Sequence, residues 1–216
     1  YAAGTAVTTG TLNTFLGGLA GDALTVGGSN VSLGYFSLTA DTKGSKSVAV
    51  GTAALGDQNF TTATDAYNVA VGQEAGRSVT TGVQNTLIGG LGGDAITTGS
   101  YNTTLGYNAL SSETKGNRSV AIGREALLNQ NFTSSTESYN VAVGYAAGLS
   151  VTTGIRNTLI GGLAGDALTD ADDNVAIGQT ALGLDTLGSK SVAVGRAALA
   201  TQNFTSATDS YNTAVG

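Results

Sequence analysis

A repeat governs this chain. Asn13-Thr-Phe-Leu-Gly, Asn85-Thr-Leu-Ile-Gly and Asn157-Thr-Leu-Ile-Gly stand 72 residues apart, as do Ser47-Val-Ala-Val-Gly, Ser119-Val-Ala-Ile-Gly and Ser191-Val-Ala-Val-Gly. Since 3 × 72 = 216, the chain divides into units 1–72, 73–144 and 145–216. Inside each unit a shorter motif, [Asn/Ser]-x-x-[Val/Leu/Ile]-Gly, begins at 13, 30, 47 and 68, and recurs at those numbers plus 72 and plus 144. The spacings 17, 17, 21 and 17 sum to 72, so each unit holds four coils, one of them four residues longer, and the chain holds twelve. A short fixed period of this kind marks an array whose units bury their apolar faces by stacking on one another.

The motif predicts one strand per coil. Its second position is Val or Thr and its fourth Leu, Val or Ile throughout, and residues at i and i+2 share one face of a strand. That face is expected to be the coil interior. The third position is small (Ser32, Ala49, Ala70, Thr104) except for Phe15, Leu87 and Leu159, and is expected to face a second layer or chain. The fifth-position glycine suits a corner with positive φ. A return segment such as Thr52-Ala-Ala-Leu55 offers a second inward apolar set. Strands of about five residues, spaced ~4.8 Å apart, would build a rod roughly 58 Å long. The expected fold is all-β: one β-solenoid or β-roll of twelve coils over 1–216, with the motif asparagines stacked in a ladder. Joining Thr213-Ala-Val-Gly216 to Tyr1-Ala-Ala-Gly4 reproduces the pattern at 142–148, so the chain is expected to be an excerpt from a longer fibre or a unit that stacks end to end.

Composition removes most chemistries. With no Cys or His there is no thiolate or imidazole metal site, no disulfide and no Ser-His-Asp machinery. Nine Lys+Arg against fifteen Asp+Glu give no basic patch for nucleic acid or an anionic membrane. No stretch approaches the ~20 apolar residues of a membrane span. Neither a cofactor nor a catalytic residue is expected, and the chain reads as no enzyme.

The strings NVAVG, SVAIG, NTTLGYNAL and NVAVGYAAG resemble the YadA-like head repeats of trimeric autotransporter adhesins and similar repeats of phage tail fibres. The resemblance runs through all twelve coils. It implies a left-handed parallel β-roll, three chains side by side, with the small third-position residues toward the trimer axis. The longer coil and Thr/Gly-rich links look more like the phage version, and the neck and stalk patterns of the adhesins are missing. The function implied is a structural and adhesive segment, a phage tail or capsid fibre shaft presenting a host-binding tip. The alternative is a bacterial surface adhesin or an extracellular filament stacking end to end. The implied partners are further copies of the chain and a host surface glycan or protein, at a virion or cell surface.

Several residues invite chemistry. Asp22, Asp94 and Asp166 stand alone in their coils and read as turn carboxylates rather than a paired glycosidase site. Asp170, Asp172 and Asp173 form an acidic cluster that is the one candidate for Ca²⁺. Asp41/Lys46, Glu113/Arg118 and Asp185/Lys190 read as exposed salt links. The 21-residue coil carries Gln-Asn-Phe-Thr followed by Tyr67, Tyr139 or Tyr211; Asn59, Phe60, Asn131, Phe132, Asn203 and Phe204 are the candidate receptor contacts, set against Phe and Tyr folding back over the roll. The same Asn-Phe-Thr matches an N-glycosylation acceptor. An ice-binding face would need a flat Thr-x-Thr rank, and the threonines read as shifting position between coils.

Overall fold

A computed structural model describes residues 2–216. It is all-β, with parallel strands and no helix among the described residues. Twelve three-residue strands, from Thr14–Leu16 to Thr213–Val215, form one continuous parallel sheet in chain order, each bonded to the strand of the next coil. The pairing advances by 17 residues, as in Val31 with Val48, and by 21 across the long coil, as in Val48 with Val69. The long coil holds register because Thr64–Asp65 pairs with Gly44–Ser45 of the coil before it, leaving Thr61, Thr62 and Ala63 as an exposed bulge. Thr136–Glu137 and Thr208–Asp209 do the same in the later units.

The strand faces lie opposite to the expectation. The third position points inward: Ala49, Ala70, Leu87, Ala121, Ala142 and Leu159 are fully buried. The second and fourth positions point outward and are half-buried or exposed in every strand. Three residues of alternating direction give one inward side chain per coil, and the narrow space between strand and return segment takes only one. What fills it is shared across the coil. Numbering the motif Asn or Ser as position 1, an inward Ala at position 3 faces Leu at position 9, as Ala49 with Leu55 and Ala121 with Leu127, both leucines buried. The coils that carry an inward Leu, and the fourth coils before them with Ala70 and Ala142, have glycine at position 9 instead: a Cβ on Gly76 would stand 2.5 Å from Leu87 Cδ1 of the next coil, and one on Gly93 2.9 Å from Leu87 Cδ2. Leu87→Ala leaves a void that two glycines cannot fill, so denaturant unfolding is expected to show a loss of about 3 kcal/mol.

Corners are tighter than glycine alone explains. Besides the fifth-position glycine, each complete coil places the residue before the motif, position 7 and position 9 in left-handed conformation, often without glycine: Ala53 (φ 56°), Leu55 (φ 48°) and Tyr67 (φ 51°) are one such set. Such residues cost of order 1 kcal/mol each and persist where neighbours over-determine them. Here the neighbours are stacked coils, since Ala53 N–H donates to Tyr35 O (2.9 Å) and Leu55 N–H to Ala75 O (3.1 Å).

The asparagine ladder is present and directional. Asn85 Oδ1 accepts from the Asn102 backbone N–H (2.9 Å), and Asn85 Nδ2 donates to Gly99 O (2.9 Å), both toward the next coil. A second rank stands at position 13: Thr25, Thr97 and Thr169 each donate Oγ1 to the carbonyl of the threonine 17 residues on. The threonines therefore do align, contrary to the sequence reading, but singly, with their hydroxyls turned along the stack and Asn59, Asn131 or Asn203 closing each run.

Candidate functional site

The outward sheet face is the most distinctive surface. Its fourth-position column is Leu, Val or Ile in all twelve strands, with Val or Thr beside it. Leu105 is 49% exposed, and Val71, Ile160 and Ile177 are also exposed. At ~4.8 Å per strand and roughly 7 Å between same-face residues, the two columns make an apolar band of the order of 500 Å². That is the size of the largest apolar patch of a soluble monomer, and such patches are often functional.

Two borders flank the band, one formed by the residue preceding each motif and the other by position 6. The first runs Tyr67, Gln84, Tyr101, Arg118, Tyr139, Arg156 through successive coils, and the second includes Tyr107, Arg124 and Tyr145. Cations sit on rings along each border: Arg118 lies 4.6 Å from the Tyr101 ring centroid and 5.9 Å from that of Tyr139, and Arg124 lies 5.9 Å from that of Tyr145. Lys46 Nζ donates to Asp65 Oδ2 (2.7 Å) and to the Tyr67 hydroxyl (2.9 Å), and those bonds hold its ammonium above the ordinary lysine range. Arg118 pairs with Glu137, and Lys190 with Asp209. Tyr and Arg are among the residues enriched at protein–protein interfaces.

The expected links of Lys46, Arg118 and Lys190 to Asp41, Glu113 and Asp185 do not form. Those carboxylates occupy position 12, which points into the coil, and all three are fully buried. They have no cationic partner among the described residues. Glu113 Oε1 instead accepts backbone N–H groups of Thr114, Lys115, Gly116 and Phe132 at 2.7–3.1 Å. Its Oε2 accepts from Gln130 Nε2 (2.8 Å). Gln130 also donates to Ser119 Oγ (2.7 Å), and its Oε1 accepts from Asn140 Nδ2 (2.8 Å). Gln58 and Gln202 make the same connections in their units. Glutamine thus supplies the rung that the short serine cannot reach. The sequence held the signal, since serine replaces the ladder asparagine only in coils that carry glutamine at position 12.

The structure divides the candidate receptor contacts. Asn59, Asn131 and Asn203 are exposed on one side of the rod, whereas Phe60 and Phe132 are buried and Phe204 half-buried. Tyr67, Tyr139 and Tyr211 belong to the border of the outward face and stay exposed. The acidic cluster does not converge. Asp170 accepts from Thr153 Oγ1 (2.6 Å), Asp172 from the Ile155 N–H (2.7 Å), and Asp173 from Arg156, whose bonds hold that carboxyl below the ordinary range. No group of three or more acidic side chains among the described residues is arranged to hold a metal ion. Asp22 accepts from Thr39 Oγ1 (2.6 Å), while burial pushes the Asp94 and Asp166 carboxyls up. No helix is long and apolar enough to cross a membrane among the described residues. Comparison with protein-family models, curated proteins and solved structures finds no match for this chain.

Proposed function

We propose that this chain is a structural and adhesive fibre segment: a rod of parallel copies joined through the outward sheet face, serving as the shaft of a phage tail or capsid fibre that holds a host-binding tip away from the particle. The observation that carries this reading is the aliphatic column on all twelve strands, half-buried to exposed in the single chain and bordered by residues that include Tyr and Arg. Counting the borders, the face measures on the order of 1,100 Å², against the ~800 Å² per partner of a stable interface. Three chains packed around an axis would hide the face from water. The association thus uses the second and fourth positions rather than the small third position, which lies inside the coil.

Sedimentation across a concentration series tests the reading. The expected mass is three times 21.2 kDa. A single-chain mass at every concentration overturns the proposal, and open-ended growth replaces it with an end-to-end filament or surface adhesin. Leu105→Lys with Ile177→Lys places two ammonium groups on the band without touching the coil interior. The double variant is expected to keep its β circular dichroism and to sediment as a single chain, with association weakened at least 100-fold, consistent with burying unpaired charges.

A further inference from the structure

We propose that neighbouring copies pack parallel with a fixed axial register, in which position 6 of each strand meets the residue preceding the next strand of its neighbour, one coil farther along. This rests on the self-association proposed above and names its register. Along the two borders, five position-6 residues are Tyr or Arg: Tyr35, Tyr107, Arg124, Tyr145 and Arg196. One coil farther along on the opposite border stand Lys46, Arg118, Tyr139, Arg156 and Tyr211, so every one of the five pairs sets a cation against a ring. Of the remaining levels, Gly90 meets Tyr101 and Thr52 meets Tyr67, Gln73 meets Gln84 and Gln179 meets Lys190, and Gly18 and Gly162 meet Ser29 and Asp173, with no like charges opposed.

Other registers lose this match. With strands level, Arg124 meets Arg118 and Arg196 meets Lys190, while Tyr107 meets Tyr101 and Tyr145 meets Tyr139. Like charges facing one another across an interface select against that arrangement. With the opposite offset, Arg124 finds Tyr101, Tyr145 finds Arg118 and Arg196 finds Asp173, but Tyr35 faces Leu12 and Tyr107 faces Gln84, so two of the five pairs are lost.

Packing inside one chain does not account for the pattern. The cation–ring contacts within the chain run down a single border, as Arg118 with Tyr101 and Tyr139. They explain alternation along each border and leave the phase between borders free. The two borders stand at opposite ends of each strand, roughly 20 Å apart at ~3.3 Å per residue, so Tyr107 and Arg118 meet only between chains. In a closed ring of three the chains stand level, so this register requires each strand to rise one strand spacing, about 4.8 Å, between the residue before its motif and position 6.

Cysteine pairs in the full chain test the register, and the chain has no cysteine of its own. Tyr107→Cys with Arg118→Cys reads the one-coil offset, and Arg118→Cys with Arg124→Cys reads level strands. Either disulfide needs Cα atoms about 4.4–6.8 Å apart, so any bond formed joins two chains. On mild oxidation the first variant is expected to run on non-reducing gels at multiples of the single-chain mass, and the second to stay single. Equal cross-linking of both, or of the second alone, overturns the register. Failure of both while the parent chain sediments as an oligomer places the contact elsewhere and also overturns it. A parent chain that sediments as a single chain defeats the underlying association instead, and the two failures are thereby told apart.

Discussion

Gly106→Ala is expected to destabilise the chain by about 4 kcal/mol, summing the strain of a side chain at an unfavourable φ with overpacking against backbone. Gly106 lies at φ +146°, and a Cβ there would stand 2.5 Å from Gly123 O and 2.6 Å from Gly123 C. Neither atom can yield without moving the next coil. The other fifth-position glycines followed by a coil stand under the same constraint, their nearest contacts at 2.3–2.6 Å. Gly90 supplies the control: its nearest neighbour would be the Tyr107 ring at 3.6 Å, and its φ lies outside the left-handed range. Gly90→Ala is expected to be neutral or to stabilise by ~0.5 kcal/mol through the unfolded chain. Urea melts of the two variants followed by circular dichroism check both. Equal midpoints would mean that coil spacing is not set by the glycine column.

Gln130→Ala is expected to cost about 4 kcal/mol, because it removes the one side-chain donor to a buried carboxylate, leaves one Asn140 amide hydrogen unpaired and opens a cavity in the coil interior. The amide bonds Glu113, Ser119 and Asn140 at once, and all four side chains are fully buried. Gln130→Glu should cost at least as much at neutral pH, since it sets two carboxylates together and removes the donor between them. Two carboxylates sharing one site push one of their pKa values far up. The folded variant therefore binds a proton that the unfolded chain releases, and its deficit shrinks as pH falls toward the raised pKa. A melting series from neutral to mildly acidic pH checks the sign: Gln130→Glu should gain on Gln130→Ala as pH drops.

Sequence periodicity revealed the coils, their number, the asparagine ladder and the parallel stacking, because each depends on spacing alone. It did not reveal which strand face is inside. Three alternating residues satisfy either assignment, and Val-Ala-Val suggests the larger pair as core. The telling residues were across the coil, where Leu87 meets glycines and Ala49 meets Leu55. The charge pairs failed for a related reason. Asp41 and Lys46 are five apart in sequence, but position 12 turns inward while the residue before the motif turns outward. Lys46 finds its partner 19 residues on, at Asp65, where the stack brings it. Nearness in a solenoid is measured in coils.

The buried carboxylates also act on folding errors. A ladder of near-identical coils invites slippage, because a strand displaced by one coil regains almost every backbone bond. Position 12 breaks that degeneracy, reading Leu24, Asp41, Gln58, Val79 in the first unit and Ile96, Glu113, Gln130, Val151 in the second. A one-coil slip would lay Asp41 beneath Val79 or Gln58 beneath Ile96, stranding polar groups at several kcal/mol. The interior polar layers thus work as a vernier. Only a displacement by a whole unit of 72 residues escapes them, and that leaves four coils with nothing to stack upon.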